Sequence, residues 1–547
     1  MASIRWLREG IRPAKKIGVS IGIDLGTTNS SAAFYDPRSN TVRVIPVSMG
    51  LTPSRMPSVV AFDEERDRIL YGDDAEQFSF RFPDYVVREF KRDMPSASSK
   101  IYRIGTGERV RTETPVTLSS MMLTELRRQV LRVLTDEFGD GIKIENVVVT
   151  VPANYPEEAQ QATKRAAETA GFTDVSLLSE PEAAALTYSE MTTLRTGAQI
   201  LVFDFGGGTL DCCLLRRDHG GRLHVSHANG DPNLGGKDFD EALIRWVADR
   251  VAIKSALPPP GVFDVLGTGD IGISIARRKK WRQEIRNRSV DAKISLSMAT
   301  SFEIVFDNSS LVDYDGTPLL VEDSITRADF EHLTRSHVDR ALAVFDATIR
   351  EAGLEPDAID RVIMVGGSSN IPTVGEAIRA RTGLDPVRTI DPLTAVAQGA
   401  AIWAERISRD RIGRGTGEGL VMVSNHNFGV RIGFGQLEIL IPKNRELPVE
   451  TEPRTYRPAT DGATNVDVPL YQFSEELVTR SGTGPVTVTH DDIERGRAYE
   501  IGRVQVDGLS GANRFIDVKF TMDRNRILHV TVKRQSDGRE FVVDISR

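Results

Sequence analysis

Two short segments of this chain each end an apolar run on an aspartate, which is followed closely by glycine and threonine. The first is Asp24–Thr28 and the second is Asp204–Thr209. An apolar run predicts a buried strand, and the glycines after it allow the backbone to turn with its N–H groups facing outward. Such a turn can bind phosphate, while an aspartate at the strand end can hold a hydrated Mg²⁺ that screens the phosphate charge.

The spacing of these segments matters more than either one alone. A single Asp-x-Gly-Thr is usually an ordinary turn, but two copies about 180 residues apart indicate an internal duplication with both loops facing one cleft. A third segment, Val362–Ser369, supplies a glycine pair suited to the sugar and α-phosphate. No Gly-Lys-Ser/Thr follows either loop, so neither is a Walker A motif, and no Rossmann fingerprint is present. The order of the segments predicts an ATPase.

Further motifs extend this pattern along the chain. They are Val148–Ala153, Ser179–Leu186, Gly230–Asp240 and Asp391–Ala400. With them, the chain resembles the DnaK-type heat-shock chaperone family of the actin-like ATPase superfamily, over nearly everything from residue 17 to the end. The second phosphate segment and the residues just after it depart from the family pattern only at Cys213, where Ser or Thr is usual.

The resemblance implies a two-part fold and gives expected domain boundaries. An α/β actin-like ATPase domain with two duplicated lobes is expected at 17–407, with a proline-rich loop at 257–261. A linker rich in charge and glycine is expected at 408–425, and an all-β sandwich that binds peptides at 426–547. Alternating apolar residues predict sandwich strands at 436–441, 465–470, 486–489, 514–521 and 527–532. Family members continue with a helical lid, so the end at residue 547 predicts a lidless form.

Composition agrees with a soluble, multi-domain protein. The 547 residues are 40% hydrophobic, which suffices for large cores, and no apolar run approaches the ~20 residues of a membrane-spanning helix. A net charge of −8 gives no footprint for nucleic acid. Residues 1–16 are interpreted as a basic leader rather than a membrane-surface helix, and no secretory signal is evident, so a cytoplasmic location is expected. The adjacent Cys212 and Cys213 should be reduced core residues on opposite faces of a strand.

The resemblance also implies a role for each matched residue. Asp24 and Asp204 would hold Mg²⁺ through water, Glu180 would organise the metal's water shell, and Lys91 would orient the attacking water, with K⁺ as a candidate second ion. The catalytic residues are therefore expected to be Lys91, Glu180, Asp204 and Thr209. The residues expected to bind ATP or ADP are Gly26, Thr27, Thr28, Gly206, Gly207, Gly208, Thr209, Gly235, Gly236, Lys293, Ser297, Gly366, Gly367 and Ser368.

Some positions depart from the family pattern at the adenine end of the expected site. Val290 stands where Glu is usual, and Asn370 replaces the arginine that normally stacks on adenine. Losing a stacked guanidinium removes a cation–π contact worth ~0.5–2 kcal/mol, so ATP affinity is expected to fall roughly threefold to thirtyfold.

Other departures concern communication between the domains. The apolar segment 420–423 keeps the character of the family linker, which docks on the ATPase domain when ATP is bound. Ser424 and Asn425 follow it where an acidic residue is usual, while Ser176 and Gln160 replace arginines of the co-chaperone and interdomain surfaces. The resemblance implies a J-domain co-chaperone and a nucleotide exchange factor as partners. These substitutions predict that J-domain stimulation is weakened or needs a specialised partner.

In the β domain, Val430, Tyr456 and Val466 match positions that line the family's peptide cleft, although plain sandwich core would give the same residue types. The leading hypothesis is an ATP-dependent chaperone that binds extended, unfolded polypeptides and switches its affinity for them by hydrolysis. The alternative is a nucleotide-controlled scaffold with one dedicated partner and little general chaperone activity.

Overall fold

The computed structural model describes residues 17–50, 52–106, 110–254, 275–307, 317–388, 391–411, 419–433, 435–458, 460, 463–482, 485–494, 497–509, 514–523 and 526–545. The expected basic leader and the proline-rich loop at 257–261 lie outside these residues, as does the part of the expected linker at 412–418.

Two lobes, each built around a large mixed sheet, form the N-terminal part of the chain. Their strands are β1 (Ile17–Asp24), β2 (Asn29–Asp36), β3 (Thr41–Ile45), β4 (Met56–Pro57), β5 (Val59–Asp63), β6 (Arg68–Tyr71), β7 (Val86–Arg88), β8 (Tyr102–Ile104), β9 (Arg111–Glu113), β10 (Ile142–Val151), β11 (Val175–Ser179), β12 (Gln199–Phe205), β13 (Leu210–Arg217), β14 (Leu223–Asp231), β15 (Ser301–Phe306), β16 (Val321–Thr326), β17 (Arg361–Val365) and β18 (Leu420–Val421).

The two large sheets repeat one arrangement. The first has the strand order β11-β10-β1-β2-β3, in which β1 is antiparallel to β2 and parallel to β10. The second has the order β17-β12-β13-β14-β18, in which β12 is antiparallel to β13 and parallel to β17. In each sheet the strand that carries the aspartate lies between its hairpin partner and a parallel strand distant in sequence. The predicted duplication is therefore confirmed.

Helices cover these sheets and separate them. They are α1 (Gly72–Ser79), α2 (Pro115–Phe138), α3 (Glu157–Thr169), α4 (Glu180–Met191), α5 (Gly236–Lys254), α6 (Ile275–Leu296), α7 (Arg327–Glu351), α8 (Pro372–Thr382) and α9 (Ala395–Arg411), with α10 (Glu475–Ser481) and α11 (His490–Glu494) further along the chain.

Two glycines let α9 approach its neighbours at backbone distance. A Cβ atom at Gly399 would lie 1.7 Å from the carbonyl oxygen of Ala183 in α4, and one at Gly22 in β1 would lie 2.1 Å from the amide nitrogen of Ala401. No larger residue fits at either position without moving backbone. Helix α9 thus holds α4, which begins at Glu180, and β1, which ends at Asp24, in one packed unit.

The start of the expected linker differs from the prediction. Helix α9 continues through Arg411, so the residues from 408 to 411 are helical. An ion pair one helical turn apart, between Arg409 and Glu405 at 2.9 Å, supports this last part of the helix. The charged residues that suggested a flexible linker therefore extend the helix instead.

The C-terminal part is an antiparallel sandwich, as predicted. Its strands are β19 (Asn427–Gly433), β20 (Gln436–Ile441), β21 (Val449–Glu450), β22 (Arg454–Tyr456), β23 (Val466–Phe473), β24 (Val486–Thr487), β25 (Ala498–Val506), β26 (Ile516–Met522), β27 (Leu528–Arg534) and β28 (Glu540–Asp544). One sheet has the order β24-β20-β19-β23-β25, and the other has β21-β26-β27-β28 with β22 also paired to β26. Alternate residues of β26 and β27 point into a shared core, which is the period-2 pattern on which the prediction relied.

The two cysteines lie side by side in β13, and both are free and buried. Cys212 packs into the core on the side of α5 and α7, whereas Cys213 packs into the core on the side of α4, so their side chains occupy opposite faces as predicted. Burial raises the pKa of Cys212 to about 12, which keeps it as an unreactive thiol. None of the described helices combines the length and apolar character needed to cross a membrane.

Candidate active site

A deep cleft between the two lobes collects the predicted nucleotide-binding segments. Its volume is about 660 Å³, within the usual range for a small-molecule site. The predicted residues that line it are Asp24, Gly26, Thr27, Thr28, Lys91, Glu180, Asp204, Gly206, Gly207, Thr209, Gly236, Lys293, Ser297, Gly366, Gly367 and Ser368. All three sequence segments therefore converge on one cleft.

The two glycine-rich loops approach each other closely within this cleft. A Cβ atom at Gly207 would lie 1.9 Å from Thr28 Oγ1, and one at Gly208 would lie 2.7 Å from Thr27 Oγ1. Side chains at these positions would fill the space between the loops. Because glycine has no side chain, this space remains open and is bordered by backbone amides and threonine hydroxyls, which suit phosphate oxygens.

Gly208 and Gly235 differ from the other predicted residues because they do not line the cleft. A Cβ atom at Gly235 would lie 2.5 Å from the amide nitrogen of Gly208, so these two glycines pack together beside the second loop. The loop is also fixed at Gly206, whose carbonyl oxygen accepts hydrogen bonds from the amide of Gly236 at 3.0 Å and from Ser368 Oγ at 2.7 Å. Gly208 and Gly235 therefore shape the loop without forming its wall.

Asp24 and Asp204 bring buried carboxylates to the cleft from the two lobes. Burial raises the pKa of Asp24 to about 7, and the nearby negative charge of Glu180 adds to that effect. Burial also raises the pKa of Asp204, again with Glu180 contributing. Carboxylates crowded in this way favour a cation beside them.

The donor set fits one kind of ion. Within the described ranges, no group of three or more His, Cys, Asp or Glu side chains is arranged to hold a metal by itself. Two carboxylates beside a phosphate cradle fit Mg²⁺, because this ion keeps several of its waters and takes phosphate oxygens as further ligands.

Lys91 and Glu180 form a buried ion pair beside these aspartates. Lys91 lies in the short 3₁₀ helix Phe90–Ser96, and Glu180 is the first residue of α4. Burial lowers the pKa of Lys91, but the carboxylates of Glu180 and Asp24 outweigh it and the net shift is upward. The lysine is therefore charged at neutral pH, within reach of the predicted phosphate and metal positions.

Lys293 of α6 and Ser297, the residue that follows this helix, line the cleft at its far end. Lys293 Nζ makes an ion pair with Asp240 at 2.7 Å and donates to the carbonyl oxygen of Gly236 at 3.2 Å. Ser297 Oγ donates to the carbonyl oxygen of Lys293 at 3.0 Å. Lys293 thus ties α6 to the start of α5.

Val290 and Asn370, the two departures at the adenine end, also line the cleft. Asn370 turns its amide toward the carbonyl oxygen of Gly367, 3.2 Å away. Sequence reasoning missed a guanidinium on this wall, that of Arg388. Arg388 lies against α8, where a Cβ atom at Gly375 would come within 2.6 Å of it. No motif surrounds Arg388, so only the fold reveals its position.

The segment after the ATPase lobes is docked on the second sheet. Strand β18 pairs in parallel with β14, with Leu420 opposite Leu223 and Val421 opposite His224. Residues 420–423 are all buried, and Leu420, Met422 and Val423 belong to the same hydrophobic core as β14 and the sandwich. The apolar linker therefore continues the ATPase sheet and leads directly into the β domain.

Polar contacts surround this junction. Asn425 Nδ2 donates to the carbonyl oxygen of Ala153 at 2.7 Å, and His426 Nε2 lies 2.9 Å from the carbonyl oxygen of Tyr155. Further along, Gln472 Oε1 of the β domain accepts from the amide of Glu157 at 2.9 Å. The two domains thus share hydrogen bonds as well as apolar packing.

The substitutions that predicted weak communication have defined contacts here. Ser424 Oγ donates to the carbonyl oxygen of Pro442 at 2.7 Å, and Gln160 Nε2 donates to the carbonyl oxygen of Tyr155 at 3.0 Å. Asn425 spans the domain contact, as described above. Ser176 lies in β11, beside Val148 of β10. Of these contacts, that of Asn425 joins the linker to the ATPase lobes, that of Ser424 joins the linker to the sandwich, and that of Gln160 lies within the ATPase lobes.

The three predicted peptide-contact residues lie in or against the sandwich core. Val430 is 1% exposed in β19, and Tyr456 and Val466 are partly buried against the same cluster. Tyr456 also donates its hydroxyl hydrogen bond to Glu438 at 2.9 Å. In this docked arrangement their packing is that of core residues.

Comparison with known proteins identifies the family. The model of the Hsp70 protein family matches residues 20–547. The chain is 32% identical to the chaperone protein DnaK of Thermotoga neapolitana over 537 residues, which is 96% of this chain and 80% of that protein. It is 31% identical to DnaK of Thermosipho africanus, over 97% of this chain and 81% of that protein. It is likewise 31% identical to DnaK of Prochlorococcus marinus, over 97% and 78%. The chain therefore belongs to the Hsp70 family of ATP-hydrolysing chaperones.

Proposed function

We propose that this protein uses ATP hydrolysis in the interlobe cleft to change the affinity of its β domain for extended, unfolded polypeptides. The observation that supports the proposal is the pairing of the linker with a sheet of the ATPase lobes. Strand β18 is hydrogen-bonded to β14 of the sheet that ends in the second phosphate loop, and it leads directly into the β domain. A change at the loop therefore has a continuous packed route to the peptide-binding part.

In this proposal Asp24 and Asp204 hold Mg²⁺ through its waters, and the ion screens the triphosphate when it is bound. The amides of the loop glycines and the hydroxyls of Thr27, Thr28 and Thr209 bind the phosphates. What supports these roles is the cradle between the loops, together with two buried carboxylates whose pKa values are raised by burial and by the negative charge of Glu180. K⁺ is a second candidate ion for the same site.

Lys91 and Glu180 act on water in the proposed reaction. Lys91 orients the attacking water with its ammonium group, and Glu180 accepts hydrogen bonds from the water around the metal. The support is their position, because both side chains are buried and line the cleft beside the aspartates. Phosphoryl transfer needs positioned groups and charge stabilisation more than covalent chemistry.

The β domain is proposed to bind extended apolar segments, with Val430, Tyr456 and Val466 as contact residues once the domain has undocked. A J-domain co-chaperone and a nucleotide exchange factor are the proposed partners, and the cytoplasm is the proposed location. The dedicated-scaffold alternative has no specific observation in its favour, since the similar proteins are named as chaperones.

The test is the affinity for a panel of unrelated extended peptides, measured by fluorescence anisotropy with ATP and with ADP. We expect several peptides to bind and to dissociate faster with ATP. Binding of a single peptide, or dissociation that ignores the nucleotide, would contradict the proposal and favour the scaffold.

A further inference from the structure

Arg526 stands in an unusual backbone conformation, in the turn between β26 and β27. Its φ angle is 61°, which is in the left-handed region that favours glycine. The residue is 7% exposed. A long charged side chain that is both buried and placed on a left-handed backbone needs strong compensating contacts.

Those contacts all cross to other parts of the molecule. Arg526 Nε donates to the carbonyl oxygen of Val423 in the linker at 3.0 Å. Its two terminal nitrogens donate to the two carboxylate oxygens of Glu182 in α4, at 3.1 and 2.5 Å. The side chains are 8% and 1% exposed, so this fork between guanidinium and carboxylate is shielded from water. One residue of the β domain thus binds both the linker and the ATPase domain.

Glu182 lies in the first turn of helix α4, two residues after Glu180. The same carboxylate accepts hydrogen bonds from the amide and hydroxyl of Ser179, at 3.2 and 2.6 Å, which closes a capping box at the start of α4. Glu180 belongs to that turn and forms the buried ion pair with Lys91. The fork from Arg526 therefore braces the turn from which Glu180 reaches the phosphate cradle.

We propose that Arg526 and Glu182 are positioning residues for ATP hydrolysis, and that their ion pair is a latch between the domains. While the β domain is docked, the latch fixes the first turn of α4 and holds Glu180 in its pair with Lys91, so neither group is free to act on water and hydrolysis is restrained. When the domains separate, the latch opens and both groups are released. The inference rests on the proposed function in assigning Glu180 and Lys91 to hydrolysis.

The pair must open as a unit, which gives the latch its switch-like character. A buried ion pair that loses one partner leaves an uncompensated buried charge, and this is more costly than losing both charges. In the undocked arrangement Glu182 can still cap α4 through Ser179, whereas the guanidinium of Arg526 loses its carboxylate partner. Docking and latch formation are therefore expected to be coupled.

Three variants of the full chain test the latch. Arg526→Gly removes the guanidinium and suits the left-handed backbone, so the β domain should fold normally. Glu182→Gln removes the charge at the other end, and the double variant removes both. The matched control is Arg503→Ala, because Arg503 lies in the same domain and forms ion pairs with Glu500 and Asp467 at the surface.

Two measurements are made on each protein: hydrogen exchange of the amides at 420–424, and the rate of a single ATP turnover together with ATP affinity. We expect each latch variant to lower amide protection and raise the single-turnover rate by about tenfold, with ATP affinity unchanged. The double variant should show an effect no larger than that of either single variant, because it leaves no uncompensated buried charge. The control should resemble the wild type.

Unchanged protection in Arg526→Gly would overturn the latch, and lost protection with an unchanged turnover rate would overturn the positioning role. Effects that multiply in the double variant would show that the two residues act separately, which also contradicts the proposal. Failure of the proposed function can be told apart from failure of the latch. If wild-type peptide release ignores ATP while the variants still change protection and turnover, the latch stands and the affinity switch does not.

Discussion

The hydroxyl of Tyr155 donates a hydrogen bond to the backbone carbonyl oxygen of Lys91 over 2.7 Å. The carbonyl oxygen of the same tyrosine lies 2.9 Å from His426 Nε2, at the start of the β domain. Tyr155 is 2% exposed, so both contacts are shielded from water. Tyr155 therefore links the two regions: its backbone carbonyl contacts the β domain, and its hydroxyl contacts Lys91 of the candidate active site.

We expect Tyr155→Phe to lower ATP turnover by roughly threefold to tenfold while the protein stays folded. The substitution leaves the buried carbonyl of Lys91 without this donor, at a cost of about 1–3 kcal/mol, and loosens the backbone that carries the ammonium group. Steady-state phosphate release measures the effect. Wild-type turnover in Tyr155→Phe would show that the hydrogen bond does not position Lys91.

Glu180→Gln and Lys91→Ala should each reduce turnover by at least about tenfold and leave ATP bound. Both groups are placed to act on water and metal rather than on the base, and removal of one positioned catalytic contact commonly costs ~2.7–4 kcal/mol. Single-turnover hydrolysis and ATP titration separate the two effects. Lys100→Ala serves as the control, since Lys100 is a surface partner of Asp93. Full turnover in both variants would end the assignment.

Asp24→Asn and Asp204→Asn should each weaken ATP binding that depends on Mg²⁺, and EDTA should weaken it in the wild type. The phosphate loops alone leave the triphosphate charge unscreened. Isothermal titration with and without Mg²⁺ measures this, with Asp136→Asn on the exposed face of α2 as the control. Equal ATP affinity with and without the metal would contradict both roles.

Two buried groups at the domain contact make docking depend on pH in opposite directions. Burial raises the pKa of Glu157 to about 7, and the negative charge of Asp523 adds to this shift. The hydrogen bond from Gln161 and the positive charges of Arg526 and Lys164 oppose it. Burial lowers the pKa of His426 to about 4, with Lys443 and Arg526 adding to the shift and the bond to Tyr155 opposing it. The docked state thus favours neutral Glu157 and neutral His426.

The sign of each effect follows from the protons bound in the two states. As pH rises from about 5 to 7, Glu157 ionises more readily when undocked, so docking weakens. As pH falls from about 6.5 to 4, His426 is protonated more readily when undocked, so docking again weakens. In the wild type the two effects oppose each other between about pH 5 and 6.5.

Single variants should separate these effects. In Glu157→Gln only the histidine remains, and docking should strengthen as pH rises from 4 to 6.5, by at most about tenfold per pH unit. In His426→Asn docking should weaken as pH rises from 5 to 7. Energy transfer between dyes on the two domains reports docking at each pH. The same pH profile in both variants would refute the assignment.

Local patterns in the sequence predicted the strands and glycine-rich loops that line the cleft. Asp24 ends β1 and Asp204 lies one residue before the end of β12, so the apolar runs and glycines specify both the strands and the loops. The sandwich strands followed from their alternation for the same reason. These features depend on neighbouring residues, which a sequence displays directly.

Contacts between distant segments could not be predicted in this way. Arg526 and Glu182 are 344 residues apart, and nothing near either one indicates a partner. Arg388 reaches the cleft only because Gly375 leaves room for it in α8. The helical end of α9 was missed for another reason, since its charges suit a flexible linker and an ion-paired helix equally.

Val421 and Val423 test whether the docked linker couples the ATPase lobes to the β domain. They are 7% and 4% exposed in the docked segment, so aspartate at both positions would place charge in an apolar contact and prevent docking. The double variant should still hydrolyse ATP. Val542→Asp is the matched control, because Val542 is 59% exposed on β28.

The most direct measurement is the dissociation rate of a fluorescent peptide, followed by anisotropy with and without ATP, in the wild type, the double variant and the control. We expect faster release with ATP in the wild type and in Val542→Asp, by a coupling of roughly 1–3 kcal/mol or less, and no ATP effect in Val421→Asp/Val423→Asp. An ATP effect of equal size in the double variant would contradict the linker as the route between the domains, and no ATP effect in the wild type would contradict the affinity switch itself.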